Sequence, residues 1–108
     1  MITQREIEEY AQAVAQKFHP LKIVLFGSYA HGVPTTDSDV DLMVVLPEGA
    51  LGKRNRDRAI AIDAAVPAGF PLDLLVRTPA DLEWRLAEGD CFLRDVFAKG
   101  RVLYEAAL

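Results

Sequence analysis

The apolar positions of the first segment recur at helical spacing and mark one buried face: Ile7, Tyr10, Ala11, Val14 and Phe18. Thr3 followed by Glu6 has the spacing of a capping box, which predicts a helix that begins near Gln4. The pair His19-Pro20 ends this helix, because the residue before a proline is disfavoured in helical geometry.

Three short apolar runs have the length of buried strands: residues 23–26, 40–46 and 72–76. Gly27 closes the first run and Pro47 stops the second. Between them, residues 28–32 predict a tight turn that opens a short helix, and residues 33–38 have the composition of a loop.

Helical patterns and one extended segment account for the rest of the chain: helices over residues 53–65, 79–88 and 91–99, and an extended stretch over 101–105. Thr78 is predicted to be an N-cap with Pro79 at the first helical position. Strands that alternate with helices predict an α/β or α+β layer. We therefore expect one domain over residues 1–108, built on a short sheet of about three strands.

Three aspartates lie at the start of a predicted strand or within one, where apolar residues are expected. Asp39 and Asp41 lie two residues apart at the start of the second strand, so their side chains point to the same face. Asp73 interrupts the third strand, and the three carboxylates converge if the two strands are neighbours. Two such charges at ~4–5 Å repel by about 3–4 kcal/mol at an effective dielectric constant near 20.

A shared proton or a divalent cation relieves the repulsion within such a cluster. Ligands that are all oxygen atoms favour Mg²⁺ or Mn²⁺. Two of these ions, ~3.5–4 Å apart, would clamp an in-line phosphoryl or nucleotidyl displacement. The aspartates therefore predict metal-dependent chemistry on a phosphate ester.

The pair Gly27-Ser28 supplies a complementary feature. A glycine lets the backbone approach a phosphate closely, and successive N–H groups after a strand can bind an anion. The Ser28 hydroxyl can donate to a phosphate oxygen. Gly27 and Gly32 have the spacing of a P-loop, but Val33-Pro34 replaces its Lys-Ser/Thr pair and excludes that motif.

With these residues in place, the segment LFGSYAHGVPTTDSDVDLMVV resembles the signature of the minimal nucleotidyltransferases, small members of the DNA-polymerase-β-like superfamily. The family pattern is Gly-Ser, ten residues, Asp-x-Asp, an apolar strand and a later strand aspartate. This chain matches it at Gly27, Ser28, Asp39, Asp41 and Asp73. His31 stands in the turn where many relatives carry arginine.

The resemblance implies the nucleotidyltransferase fold, a short mixed sheet flanked by helices. It implies that Asp39 and Asp41 bind two Mg²⁺ ions, with Mn²⁺ as an alternative. Asp73 would complete the metal site and accept a proton from the acceptor hydroxyl. Gly27 and Ser28 would hold the phosphates of the substrate ATP.

The resemblance also implies a partner. Many minimal nucleotidyltransferases are similar to antitoxins encoded beside a HEPN-domain ribonuclease toxin, and some transfer AMP from ATP to a tyrosine of that toxin. We therefore expect a protein adenylyltransferase that forms a hetero-oligomer with a HEPN toxin. The alternatives are a non-catalytic antitoxin that binds the toxin, and nucleotidyl transfer to RNA or to a small molecule.

Charge and composition narrow these alternatives. The chain has 12 basic and 16 acidic residues and a net charge of −4, which argues against direct nucleic-acid binding. No apolar run approaches the ~20 residues that span a bilayer, and the charged first residues do not resemble a signal peptide. The single cysteine, Cys91, excludes an intrachain disulfide and a cysteine zinc site, and we expect a reducing cytoplasm.

Some residues have two interpretations. Ser28 has the alternative role of a helix N-cap that contacts no phosphate. Asp73 has the alternative role of an edge-strand acid that faces water. Trp84 belongs either to the core or to a partner interface, whereas Tyr29 and Cys91 are predicted to be buried packing residues. The only basic cluster is interpreted as a solvated helix face or, alternatively, as a patch that faces the triphosphate: Lys53, Arg54, Arg56 and Arg58.

Overall fold

A capped amphipathic helix, α1 (Gln4–Phe18), opens the fold of the computed structural model, which describes residues 1–52 and 54–107. The Thr3 hydroxyl accepts a hydrogen bond from the backbone N–H of Glu6, and the Glu6 carboxylate accepts one from the backbone N–H of Thr3. This is the predicted capping box. The helix ends at His19, whose left-handed φ of 50° turns the chain toward Pro20.

The remaining elements follow in the order β1 (Lys22–Phe26), α2 (Ser28–His31), β2 (Val40–Val45), α3 (Asn55–Ala65), β3 (Leu72–Arg77), α4 (Pro79–Ala87), α5 (Cys91–Lys99) and β4 (Arg101–Glu105). The predicted order of helices and strands is confirmed. Thr78 caps α4 with a second capping box, and Pro79 begins that helix. The helix predicted over residues 53–65 is observed from Asn55 onward, and Lys53 lies outside the described residues.

The sheet is mixed and has four strands in the order β3-β2-β1-β4. β1 pairs antiparallel with both β2 and β4, and β2 pairs parallel with β3. The expected count of about three strands is therefore one too low. β4 joins the sheet through pairing with β1, a contact between distant parts of the chain that its own short, half-polar sequence does not signal.

Helices cover both faces of the central strands, which explains why β1 and β2 are almost entirely apolar. On one face, Ile23 and Leu42 pack in a core with residues of α1 and α3 such as Ile7 and Ile62. On the other face, a second core joins the sheet to α5: Val24, Phe26, Met43, Val45, Leu93 and Val96.

Two side chains outside the cores differ from expectation or resolve an open choice. Cys91 is exposed at the first position of α5, so the prediction that it is buried is wrong. Trp84 is 62% exposed, which removes it from the core. None of the helices in residues 1–52 and 54–107 is both long and apolar enough to cross a membrane.

The basic cluster does not form one solvated face. Arg58 is only 5% exposed, and its guanidinium donates to the carbonyl oxygens of Ala50 and Gly52 and to the side chain of Asn55. These hydrogen bonds tie the loop before α3 to the first turn of that helix. Arg58 is therefore a structural residue, whereas Arg54 and Arg56 remain exposed.

Candidate active site

The strands place three of the relevant side chains side by side at one edge of the sheet. Phe26 at the end of β1 pairs with Asp41 in β2, and Asp41 pairs in register with Asp73 in β3. Register partners point to the same face, here the face that also carries Met43 and α5. We call Phe26, Asp41 and Asp73 the cross-strand row. The condition for the carboxylates to converge is met for these two strands, since β2 and β3 are neighbours, and strands so paired lie roughly 4.8 Å apart.

Gly27 lies directly against this row. Its backbone has φ 73° and ψ −157°, a conformation that side-chain-bearing residues rarely adopt. A Cβ atom placed on Gly27 would overlap the carboxylate oxygen Oδ2 of Asp41 and lie 3.1 Å from its Cγ. The absence of a side chain at position 27 thus leaves the space that the Asp41 carboxylate occupies.

Burial and neighbouring charge both act on Asp41. Burial raises the pKa of its carboxyl, and the negative charges of Asp73 and then of Asp39 raise it further. Asp39 and Asp73 are themselves exposed, and Asp39 precedes the first residue of β2. The site therefore concentrates negative charge at the strand edge. No basic group is among the causes of the shift in the pKa of Asp41.

The donor set has the chemistry of a site for a hard divalent cation, because it offers only carboxylate oxygens whose mutual repulsion such an ion relieves. The side chains of residues 1–52 and 54–107 do not form a ready group of three or more His, Cys, Asp or Glu placed to hold a metal ion. The structure thus brings Asp41 and Asp73 into register, while Asp39 lies outside the paired strands.

Hydrogen bonds from residues at the start of the chain and of α1 fix the turn after β1. Tyr29 is 7% exposed, its hydroxyl accepts from the backbone N–H of Ile2 at 3.3 Å, and its carbonyl accepts from the side-chain amide of Gln4 at 3.2 Å. The prediction of a packing role for Tyr29 is confirmed. Gly27 is the N-cap of α2 and Ser28 its first helical residue, so the interpretation of Ser28 as an N-cap is wrong.

Sequence reasoning did not include Phe26 or the α5 residues near it in the site. The sequence pattern predicts only a buried strand position for Phe26, although this residue comes immediately before Gly27. The ring of Phe26 meets that of Phe92 at a centroid distance of 5.6 Å and an interplanar angle of 84°. His31 is exposed in the turn and lines the same cleft as these two rings.

A small mixed sheet carries in-register carboxylates beside a glycine turn, which suits chemistry on a nucleotide phosphate. Residues 7–104 match the family model described as a nucleotidyltransferase domain, and the chain belongs to that family. The resemblance stated from residues 25–45 is confirmed.

Two relatives come from Methanocaldococcus jannaschii, and both are named putative protein adenylyltransferase. The first is 33% identical over 81 residues, which cover 70% of this chain and 55% of the relative. The second is 28% identical over 106 residues, which cover 96% of this chain and 100% of the relative. The chain thus spans about half the length of the first relative and the whole of the second.

Solved structures agree on the fold. A nucleotidyltransferase of Sulfolobus solfataricus, described as putative, has a TM-score of 0.62 at 19% identity, with 94% of this chain and 78% of that chain covered. A toxin–antitoxin structure with AMP-PNP has a TM-score of 0.55 at 21% identity, with 92% and 73% covered. The expected nucleotidyltransferase fold is confirmed.

Proposed function

We propose that this chain transfers AMP from ATP to a hydroxyl of a partner protein in a reaction that requires Mg²⁺. The observation that carries the proposal is the register of Asp41 with Asp73 beside Gly27. Membership of the nucleotidyltransferase family supports the reaction class, and the names of the two archaeal relatives support a protein acceptor. Mn²⁺ has the same oxygen preference and is expected to substitute.

Each site residue has a role in this proposal. Asp39, Asp41 and Asp73 would hold the cation, with Asp41 and Asp73 contributing from paired strands. A bound divalent cation supplies positive charge that offsets the charge of the transferring phosphate and of the leaving pyrophosphate. Gly27 exposes backbone to the phosphates because no side chain covers it, and the Ser28 hydroxyl donates to a phosphate oxygen.

The covalent step is a single in-line displacement. The acceptor hydroxyl oxygen forms a bond to the α-phosphorus of ATP, and the bond from that phosphorus to the bridging oxygen of the β-phosphate breaks. Pyrophosphate leaves, and the hydroxyl proton passes to the Asp73 carboxylate. Asp73 suits this role because it is exposed at the edge of the sheet, where an acceptor can reach it.

The acceptor we propose is a tyrosine of a HEPN-domain toxin, for which this chain acts as the antitoxin in the cytoplasm. Support comes from the structural similarity to a toxin–antitoxin pair with AMP-PNP and from the family resemblance of residues 25–45. The net charge of −4 and the exposed single cysteine are compatible with a protein partner in a reducing compartment.

A neutralisation assay separates catalysis from simple binding. The chain is co-expressed with the proposed HEPN-domain toxin, and the toxin's intact mass and cell growth are followed. We expect wild type to restore growth and add the mass of AMP to the toxin, and the double variant Asp39→Asn, Asp41→Asn to do neither. Restored growth with an unmodified toxin would instead identify a binding antitoxin.

A further inference from the structure

A small aromatic cleft adjoins the cross-strand row on the side away from Asp73. Its volume is about 180 Å³, and it is lined by Phe26, Gly27, His31, Phe92, Asp95 and Val96. It shares Phe26 with the row and Gly27 with the turn, so it is continuous with the proposed site.

Phe92 is the residue of the cleft that offers a free surface. Phe26 is 8% exposed and belongs to the core, whereas Phe92 on α5 is 50% exposed. The edge-to-face contact between the two rings fixes Phe92 from one side and leaves a large part of its ring in solvent. A half-exposed aromatic ring, anchored by a buried one beside an active site, is suited to stack on a planar ligand group.

The charges around the cleft select which part of the substrate fits. Asp95 on the rim is exposed, and the ion pair that its carboxylate forms with Lys99 is 4.0 Å long and exposed as well. A carboxylate on the rim disfavours a phosphate there, whereas it can accept a hydrogen bond from a ring or exocyclic N–H group. The cleft therefore fits an uncharged, planar, N–H-bearing group better than a phosphate.

We propose that the aromatic cleft binds the base of the nucleotide substrate, which stacks on the exposed part of the Phe92 ring. This inference rests on the proposed function, since the phosphates must lie at Gly27 and the row for the base to reach Phe92. Stacking on an aromatic side chain tolerates every base, because every base has a π-face. The cleft thus provides affinity for the nucleotide with little selectivity among bases.

The test measures binding by calorimetry in the presence of Mg²⁺, with AMP-PNP, GMP-PNP and inorganic tripolyphosphate as ligands. Phe92→Ala should weaken both nucleotide analogues by roughly 5- to 150-fold, the loss expected for one base stacked on an aromatic ring. It should leave tripolyphosphate binding unchanged, because that ligand has no base. Phe92→Trp should retain nucleotide binding.

Phe97→Ala is the matched control, because Phe97 lies on the same helix, is 36% exposed and lines a different cavity. It should leave the affinity for all three ligands unchanged. Unchanged AMP-PNP binding by Phe92→Ala would overturn this inference and leave the proposed function standing. The same holds if Phe92→Ala raises only the KM for the acceptor, since that result would place the acceptor in the cleft. A parallel loss of tripolyphosphate binding would also overturn it, since it would indicate a general structural role. A wild-type chain that bound neither kind of ligand would overturn the proposed function and the inference together.

Discussion

The carboxylate of Asp41 occupies the space that a side chain at position 27 would need. A Cβ on Gly27 would overlap Oδ2 of Asp41, and the positive φ of 73° makes any side chain there strained as well. The position of the Asp41 carboxylate therefore depends on a glycine at residue 27 of the turn. Residues more than a dozen positions apart in sequence are fixed against each other by the antiparallel pairing of β1 with β2.

Gly27→Ala should consequently damage the site more than the fold. The backbone strain is expected to lower the free energy of unfolding by about 1–3 kcal/mol. The Asp41 side chain can rotate away from the new methyl group, but a carboxylate displaced by about 1 Å should reduce the transfer rate by roughly 100-fold. Denaturant unfolding and a transfer assay measure the two effects separately.

Gly49→Ala is the control for that substitution. Gly49 also has a positive φ, 80°, but apart from Gly49 itself and its two chain neighbours no heavy atom of the described residues lies within 4 Å of a Cβ placed there. It should lose stability through backbone strain while the transfer rate stays at the wild-type level. Equal activity of the Gly27→Ala and Gly49→Ala variants would contradict the proposed coupling of Gly27 to Asp41.

Removing the charge of Asp41 should stabilise the metal-free fold at neutral pH. Burial, Asp73 and Asp39 raise the pKa of Asp41 above its ordinary value of 3.8, so the folded chain binds this proton more tightly than the unfolded chain. The favourable contribution is complete below pH 3.8 and is lost as the pH rises through the raised value. Asp41→Asn should therefore be more stable than wild type at pH 7, by a margin that shrinks toward pH 4.

Urea unfolding in the presence of a chelator measures this margin, with Asp37→Asn as the control that removes an equal charge from the exposed loop. The difference between the two variants isolates the effect of the strand edge. If Asp41→Asn were less stable than Asp37→Asn at pH 7, the carboxylates would not repel one another as the structure indicates.

Arg58→Ala should be strongly destabilising. Its three hydrogen bonds to Ala50, Gly52 and Asn55 would be lost, and the carbonyl oxygens of Ala50 and Gly52 would be left without that donor. We expect the free energy of unfolding to fall by about 2–4 kcal/mol. Arg56→Ala, at an exposed position of the same helix, should change it by less than about 0.5 kcal/mol. Similar thermal midpoints for the two variants would refute the structural role of Arg58.

Tyr10→Phe should stabilise the chain. The Tyr10 hydroxyl is buried and has no hydrogen-bond partner within the described residues, an arrangement that costs about 1–3 kcal/mol. Burial and the nearby charge of Asp63 raise the pKa of Tyr10 to about 12, so wild type loses stability as the pH rises from 10 to about 12. The variant should gain about 1 kcal/mol at pH 7 and lack this alkaline loss.

Tyr29→Phe provides the contrast, because it removes a hydroxyl that does accept a hydrogen bond, from Ile2. It should lose about 0.5–1.5 kcal/mol. A loss of stability in Tyr10→Phe as well as in Tyr29→Phe would show that the Tyr10 hydroxyl forms a stabilising hydrogen bond.

Local signals predicted most of the fold. Thr3 with Glu6, Thr78 with Pro79, and the glycines and prolines between segments set the ends of helices and strands through contacts a few residues apart. What they could not predict is pairing between distant segments. The fourth strand and the burial of Arg58 both depend on which part of the chain lies alongside, which no local pattern specifies.

The candidate site divides in the same way. Asp39, Asp41 and Asp73 stand out because aspartate is unusual in an apolar strand, and Gly27 because it follows one. Phe26 and Phe92 look like ordinary core residues in the sequence. Their position beside the carboxylates becomes visible only once the register of β1 with β2 and the packing of α5 are known.

In the proposed function, the strand-edge carboxylates support transfer of a nucleotide to a protein. The most direct test incubates lysate of the native host with Mg²⁺ and ATP labelled at the α-phosphate, together with wild type, Asp41→Asn or Asp37→Asn. We predict one labelled protein band with wild type and with Asp37→Asn, and none with Asp41→Asn. The same band with Asp41→Asn, or label found only in RNA, would contradict the claim.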